Sequence, residues 1–299
     1  MNYRNIGFFS IAFLLCVTTN AQSNLLNATR PSNIGEKTTA QLAIDNDKPL
    51  EYGYIDDRDI MWSKVVWEYI DLNERINLPI YYPVDTTNVS TNRRSLFDTL
   101  LRGINRGAIT EVYDDSYFTA KMTKAEINGK LFRVDTTDAG FDELNAGATN
   151  IDEYIDKINL TSQDIEGFKV KGLWYIDKRQ GELKYRLLAI APVAPDVQTM
   201  GREDIDITEQ LAIFWVWYPD ARQTLHDMKV FNQKNSAYPI SFDHILNARR
   251  FNSIIYREEN IYGDRDVAEY VKGNALFQVL ESNKIKESIR NIELDLWNY

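Results

Sequence analysis

Acidic residues are the groups in this sequence whose type and spacing could do chemistry. Carboxylates cluster in three places: Asp56-Asp57-Arg58-Asp59, Asp114-Asp115 and Gly263-Asp264-Arg265-Asp266. Paired carboxylates can act as acid and base in glycoside hydrolysis, and grouped ones can bind calcium. None has the glycine and glutamate spacing of a calcium loop, and the first and last stand where helices are predicted to begin, as capping residues do. An exported hydrolase with a carboxylate pair is therefore the alternative hypothesis.

Other catalytic material is scarce. The chain of 299 residues has two histidines, His226 and His244, and one cysteine, Cys16. These numbers exclude a multi-histidine metal centre and a cysteine-rich zinc site. The sequence has no nucleophile elbow, no phosphate-binding loop and no H-E-x-x-H motif. We therefore predict no catalytic, cofactor-binding or metal-binding residue. The formal net charge of −10 argues against non-specific nucleic-acid binding.

The first 21 residues have the pattern of a secretory signal peptide. Arg4 supplies the positive charge, Ile6–Val17 is the apolar run, and small residues lead to a predicted cleavage after Ala21. A membrane anchor is the alternative, but a span needs about 20 apolar residues. Leu15 stands before Cys16 where a lipidation signal needs a small residue. We predict an exported, soluble mature chain without cysteine.

After the signal, composition divides the chain into two parts. Residues Gln22–Leu50 are polar and contain no aromatic residue, which predicts an extended or disordered arm. Residues 51–299 are predicted to form a single α+β domain, with an antiparallel sheet packed against several helices.

Two helices are predicted early in this domain. The first covers Asp56–Asn77, because apolar residues recur at helical spacing along it. It places Trp67 among charged residues such as Lys64 and Glu68 on the opposite, solvent-facing side, which suggests either partial cover by a later element or an anchor for a partner. The second covers Ser95–Asn105 and is followed by Gly107. Short strands are predicted at 110–113 and 130–134, and a loop at Asp135–Thr149.

The strongest β signal is a long antiparallel hairpin at residues 168–193. Apolar and charged residues alternate on both arms, with Lys169 and Lys171 on the solvent-facing side of the first arm, and Arg179-Gln180-Gly181 makes the turn. The apolar run Leu211–Tyr218, which ends at Pro219, predicts a central strand buried on both faces.

The last third of the sequence is predicted to be helical. Ser241 is a plausible cap for one helix. Two more are predicted at Asp266–Leu280, interrupted by Gly273, and at Ser282–Leu296.

Three ordered blocks resemble the GldN/PorN family, and the resemblance extends from about Glu51 to Tyr262. The blocks are Asp56–Trp67 with Ile70-Asp71-Leu72 and Asn77-Leu78-Pro79; Trp217–Arg222 with Leu225; and Ser241-Phe242-Asp243 with Arg249-Arg250-Phe251 and Ser253–Tyr262. The family's blocks are structural signatures, so they transfer no active site.

This resemblance implies a periplasmic component of the type IX secretion and gliding-motility machinery. It implies a non-enzymatic structural subunit that forms a ring with an outer-membrane lipoprotein of the GldK/PorK type and contacts a GldM/PorM-like motor protein. Attachment to the inner face of the outer membrane would come through that lipoprotein. The candidate partner-interface residues are Trp67, with its aromatic ring on a polar helix side, and Asp220 and Arg222 in the second block.

Overall fold

A computed structural model describes residues 30, 39–44, 47–85, 93–147, 152–200, 210–232 and 240–297. The signal peptide, its cleavage site after Ala21 and most of the predicted arm lie outside these residues. Helix α1, Thr39–Ile44, belongs to one unit. The described residues from Pro49 onwards form a second, compact unit, which contains all the strands and the remaining helices. No helix in the described part of the chain is both long and apolar enough to cross a membrane.

An antiparallel sheet runs through the compact unit. The strands of the unit are β1 (Ile60–Asp71), β2 (Val112–Tyr113), β3 (Phe132–Thr136), β4 (Ile155–Asn159), β5 (Gly167–Asp177), β6 (Glu182–Pro195), β7 (Gln210–Ala212), β8 (Trp215–Trp217), β9 (Lys229–Val230), β10 (Ile240–Ser241) and β11 (Ile254–Glu258). The sheet has the strand order β11-β1-β5-β6-β8-β2, with β7 also paired to β6, and β3-β4 and β9-β10 form two small separate ribbons. The mixture of helices with an antiparallel sheet confirms the predicted α+β class.

Helices connect and cover these strands. They are α2 (Leu78–Tyr81), α3 (Leu96–Arg106), α4 (Lys124–Leu131), α5 (Asp138–Asn145), α6 (Tyr218–Asp227), α7 (Phe242–Asn247), α8 (Val267–Tyr270) and α9 (Ala275–Trp297). Short 3₁₀ helices cover Asp57–Asp59 and Asp152–Tyr154. The main core lies between one sheet face and helices α3, α6 and α7, while α9 packs beside it through Ile285 and Ile289.

The predicted helix over Asp56–Asn77 is wrong, because most of this segment is strand β1. It pairs along nearly its whole length with β5 and over a shorter stretch with β11. The segment is rich in β-branched and aromatic residues, which favour a pleated, buried surface. Both faces of its centre are covered, so the apolar residues did not alternate cleanly with polar ones and helical spacing fitted them as well. Asp56 does cap a helix, the short 3₁₀ turn, by accepting a hydrogen bond from the Arg58 amide.

The long hairpin is confirmed as strands β5 and β6. Gly181 adopts a φ of 64° in the turn, where its amide donates to the Asp177 carbonyl over 2.7 Å. A glycine is favoured there because this left-handed conformation is costly for residues with a Cβ.

The predicted continuous strand over Leu211–Tyr218 is only partly correct. The run is divided between β7 and β8, and Tyr218 is already the first residue of helix α6. Pro219 lies in the first turn of that helix, where the missing amide proton has no helical acceptor to lose. It therefore helps to start a helix as well as ending the strand. Phe214 and Val216 are fully buried, as predicted, but Leu211 is exposed.

The predicted capping residues of two helices agree with the structure. Ser95 accepts a hydrogen bond from the Asp98 amide at the start of α3, and Gly107 follows its end with a φ of 77°. Ser241 likewise caps α7 through the His244 amide. These outcomes confirm both predicted helix starts.

Three further boundaries differ from the predictions. Helix α4 includes the first two residues of the predicted strand 130–134, because Thr123 and Glu126 form a capping box that begins a helix just before it. Helix α5 occupies part of the predicted loop Asp135–Thr149. The predicted interruption at Gly273, with φ 80°, is confirmed, but α9 then continues without a break to Trp297 and so joins the two helices predicted at Asp266–Leu280 and Ser282–Leu296.

Candidate functional site

Trp67, the first predicted interface residue, lies inside the protein. Its side chain is only 2% exposed and packs on the second face of the sheet with Ala189, Ala191 and Trp215. Its placement on the polar side of a helix is therefore wrong, because the segment is a strand with both faces covered. The indole N–H has no hydrogen-bond partner among the described residues. Contact with a partner stays a prediction for Trp67, whose observed contacts are all within the chain.

Lys171 lies opposite Trp67 in the β1–β5 pairing and enters an aromatic cage. Its Nζ lies 4.8 Å from the ring centre of Trp67, 4.9 Å from that of Tyr117 and 5.3 Å from that of Phe118. It also donates a 2.9 Å hydrogen bond to the Ser116 carbonyl. Burial lowers the pKa of Lys171, while the carboxylates of Asp264 and Asp115 act in the opposite direction. Cation–π attraction compensates part of the cost of burying this charge.

The loop that supplies the cage is shaped by its own hydrogen bonds. The carboxylate of Asp115 accepts from the amides of Tyr117, over 2.6 Å, and Ala120, over 3.2 Å. Phe118 adopts a left-handed φ of 62°, which is rare for an aromatic residue. Its ring meets that of Trp217 edge to face at 4.9 Å. The cage therefore links Trp67 of the first family-like block to Trp217 of the second. The link is the loop that carries Tyr117 and Phe118, which belongs to neither block.

A buried ion pair lies on the opposite face of β1. Glu68 is fully buried and accepts two hydrogen bonds from Arg249, of 3.0 Å to Oε1 and 2.7 Å to Oε2. The Ser253 hydroxyl donates a short hydrogen bond to Oε2. The two residues of the ion pair belong to sequence segments 181 residues apart. The sequence interpretation placed Glu68 on a solvent-exposed helix side, and the structure corrects this.

Aromatic rings surround the guanidinium of that pair. Arg249 lies 4.1 Å above the centre of the Tyr185 ring and 5.1 Å from that of Trp174. Burial raises the pKa of Tyr185 far above its usual value. Its hydroxyl has no hydrogen-bond partner in the described part of the chain. The ion pair therefore lies in apolar surroundings. Its two parallel hydrogen bonds are needed to offset the cost of removing both charges from water.

Arg222, the second interface candidate, forms a second ion pair. Its Nε lies 3.0 Å from Asp243 Oδ1 and its Nη2 lies 3.1 Å from Oδ2. The side chains of Tyr218 and Asn247 also donate to Asp243 Oδ1, over 2.9 Å and 2.8 Å. Arg222 thus joins helix α6 to helix α7, the second family-like block to the third.

The same arginine holds the start of the compact unit. Its Nη2 donates a 2.5 Å hydrogen bond to the Leu50 carbonyl. The ring of Tyr52 lies between two guanidinium groups, 4.1 Å from that of Arg222 and 4.6 Å from that of Arg186. The Tyr52 hydroxyl donates to Asn247 over 2.8 Å. Burial raises the pKa of Tyr52, and the charge of Arg222 acts against this rise. We call this arrangement the Tyr52 clamp.

Asp220, the third candidate, also has partners within the chain. Its Oδ2 accepts from the amides of Thr110, over 2.6 Å, and Glu111, over 2.9 Å. It lies in the first turn of α6, where a carboxylate is favoured by the free amides of the helix end. Asp220 therefore holds the two residues just before strand β2, which leads into the cage loop. Whether Asp220 and Arg222 also contact a partner stays a prediction.

The acidic clusters singled out for chemistry are used for local structure. Asp56 binds Arg58, Asp59 binds Arg179, and Asp266 binds Arg257. Asp115 holds the cage loop, and Asp264 accepts from the Asn260 amide over 3.0 Å. Among the residues that the structure describes, no three His, Cys, Asp or Glu side chains are grouped so as to hold a metal ion.

Two central residues of these networks were not identified from the sequence. Lys171 was assigned to a solvent-facing hairpin side, yet it is 9% exposed. Glu68 was read as one charge among many. The one sequence signal for a buried charge is a charged residue inside an apolar strand, as in Val66-Trp67-Glu68-Tyr69-Ile70. This signal indicates burial only when the segment is identified as a strand.

The fold and these networks define a class of protein. It is an α+β unit in which the charged residues of the three blocks bind one another. The chain belongs to the GldN family: the family model described as "Gliding motility associated protein GldN" matches residues 55–298. This membership associates the chain with gliding motility and type IX secretion. No curated protein matches the chain.

Proposed function

We propose that this chain is a non-enzymatic periplasmic structural subunit of the type IX secretion and gliding-motility machinery. In this proposal it assembles into a ring with an outer-membrane lipoprotein of the GldK/PorK type, which attaches it to the inner face of the outer membrane. The ring is contacted by the periplasmic part of a GldM/PorM-like motor protein. The observation that carries the proposal is the GldN family match over residues 55–298.

The internal pairing of the charged residues in the three family-like blocks supports a structural role. Glu68, Arg249, Arg222 and Asp243 all form close pairs inside the chain. Buried, doubly hydrogen-bonded pairs of this kind hold distant segments in one arrangement. A subunit that bears load within a large assembly benefits from such cross-links.

The hydrolase alternative receives no support from the best-placed carboxylate. Glu68 lines a cavity, but both of its oxygens already accept hydrogen bonds from Arg249 and Ser253. An acid or base must be within hydrogen-bond reach of the reacting proton. A carboxylate occupied in this way would first have to lose its partners.

Deletion of the gene, followed by complementation, tests the proposed function. We expect the deletion strain to lose secretion of type IX cargo and to contain less of the partner lipoprotein. Purification of the tagged, complemented protein from native membranes should enrich one lipoprotein. Normal secretion in a deletion strain without a paralogue would refute the proposal.

The interface candidates need variants that separate folding from binding. Trp67→Ala, Arg222→Lys and Asp220→Asn would be compared with Trp67→Phe, which retains an aromatic ring in the cage. Each purified variant is first checked for its unfolding midpoint and then for lipoprotein retention in the pull-down. Loss of retention at an unchanged midpoint supports a direct contact. Retention by every folded variant contradicts it for that residue.

A further inference from the structure

A cavity of about 300 Å³ lies between helix α9 and the sheet. Part of its lining is apolar: Trp174 on β5, Leu183 on β6, Ile255 on β11 and Ile289 on α9. The rest consists of charged side chains from β1, the segment after α7, and α9, namely Glu68, Arg249, Lys286, Arg290 and Glu293. A concave site with apolar walls and a few polar groups is the usual form of a small-ligand pocket.

The charges of this lining are not equally satisfied. Arg249 and Glu68 neutralise each other by their two hydrogen bonds. Lys286 donates to the Ser253 carbonyl, and no carboxylate oxygen of the described residues lies within ion-pair distance of its Nζ. Arg290 approaches Glu287 only at 3.9 Å, with both side chains exposed. Among the charged lining residues, Lys286 thus has no carboxylate partner and Arg290 has only an exposed one at 3.9 Å, while Glu293 is the one lining carboxylate besides Glu68.

Lys286 is also partly withdrawn from water. Its side chain is half-buried, and burial lowers the pKa of its ammonium group. An ammonium that lacks a carboxylate partner in such a place gains from an incoming anion more than a fully solvated one does.

We propose that this cavity binds a carboxylate that carries an apolar body. The carboxylate lies against Lys286 and Arg290, and the apolar body packs on Trp174, Leu183 and Ile289. Two sources have this chemistry: a fatty acid, and the C-terminal residue of a peptide that ends in an apolar side chain. The proposal concerns a ligand site and goes beyond the structural role proposed above, so each can fail without the other.

Titration calorimetry on the purified full-length protein tests the proposal with two matched pairs of probes. Octanoate is compared with octan-1-ol, and N-acetyl-leucyl-leucine is compared with its C-terminal amide. We expect at least one acid to bind at a single site with a Kd of about 0.1–1 mM and about tenfold more tightly than its neutral analogue. Which acid binds distinguishes the fatty acid from the peptide terminus.

Three variants locate the binding. Lys286→Met should weaken binding of the acid about tenfold, since it removes the charge and keeps the side-chain length. Arg290→Met alters an exposed side chain that can be changed without risk to the core, and it should weaken binding about threefold. Lys284→Met is the matched control, because Lys284 lies on the same helix outside the cavity lining, and its Kd should stay unchanged. Equal binding of acids and neutral analogues, absence of binding at millimolar concentration, or an unchanged Kd in both Lys286→Met and Arg290→Met would overturn the proposal.

Discussion

Arg249 binds Glu68 through two parallel hydrogen bonds at a site where the glutamate is fully buried. Removing one partner of a buried pair leaves the other charge without compensation. We therefore expect Arg249→Met to lower the free energy of unfolding by about 3–5 kcal/mol. Urea denaturation followed by circular dichroism measures this change.

Two further variants make this prediction specific. Arg250→Met changes the adjacent, exposed arginine and should alter stability by less than about 0.5 kcal/mol. The double variant Glu68→Met/Arg249→Met removes both charges and should recover much of the lost stability, because the apolar pair no longer contains an unpaired ion. A double variant as unstable as Arg249→Met would contradict this explanation.

The cage around Lys171 predicts a pH dependence of stability. Burial lowers the pKa of Lys171 below its ordinary value of 10.5, so the folded protein releases this proton at lower pH than the unfolded chain does. Where the unfolded state binds more protons, stability rises with pH. The contribution of Lys171 should therefore become more favourable as the pH rises through the range below 10.5, between the lowered pKa of the folded state and the ordinary pKa of the unfolded chain.

Comparison with Lys171→Met isolates this contribution, because the other titrating groups are common to both proteins. We expect the difference in unfolding free energy, wild type minus variant, to increase as the pH is raised towards the ordinary lysine pKa of 10.5. Chemical denaturation at several pH values measures the difference. A difference that is constant or decreases with pH would refute the assignment.

Gly172 leaves the space that Tyr185 occupies. A Cβ at this position would lie 2.1 Å from the Tyr185 hydroxyl oxygen and 2.2 Å from its Cζ. The ring is held beneath Arg249 and cannot move aside easily. Gly172→Ala should therefore destabilise the protein by about 1–3 kcal/mol through overpacking. Gly53→Ala is the control, since nothing lies within 4 Å of its added Cβ, and it should change the unfolding midpoint little.

The Tyr52 clamp predicts local protection of the segment that begins the compact unit. Tyr52→Ala removes a ring stacked between two guanidinium groups and a hydrogen bond to Asn247. We expect amide hydrogen exchange in residues 50–54 to become about tenfold faster, which corresponds to about 1.4 kcal/mol of local opening free energy. Mass spectrometry of peptic peptides measures this exchange.

Tyr54→Ala is the matched comparison for the clamp. Tyr54 is two residues away, and its side chain is 82% exposed. Its replacement should leave exchange in residues 50–54 nearly unchanged. If both variants accelerate exchange equally, the effect comes from the segment in general and the clamp is not its cause.

The features that were predicted correctly depend on neighbours in sequence. Ser95 and Gly107 mark the two ends of α3, and the Arg179-Gln180-Gly181 turn marks the hairpin. A cap or a tight turn is formed by residues a few positions apart, so its signal is contained in a short window. The GldN family blocks were recognisable for a similar reason, since each is a continuous run of residues.

Strand β1 could not be identified in that way. Its pattern at Val66-Trp67-Glu68 is buried on both faces, and a buried strand lacks the alternation by which strands are recognised. Once it was read as a helix, Trp67 and Glu68 appeared on a solvent-facing side. The error in one element thus changed the expected environment of two of its most informative residues.

The sequence by itself determined the α+β class, the hairpin, the main helix caps and membership in the GldN family. Only the tertiary structure decided which charges are internal. Glu68 meets Arg249 across 181 residues, and Lys171 meets the Ser116 carbonyl across 55. A charge is stable inside a protein only where partners compensate for lost water, and here those partners come from distant segments brought together by the sheet. The position of a charged residue along the chain therefore does not reveal whether it is exposed to solvent or holds the core together.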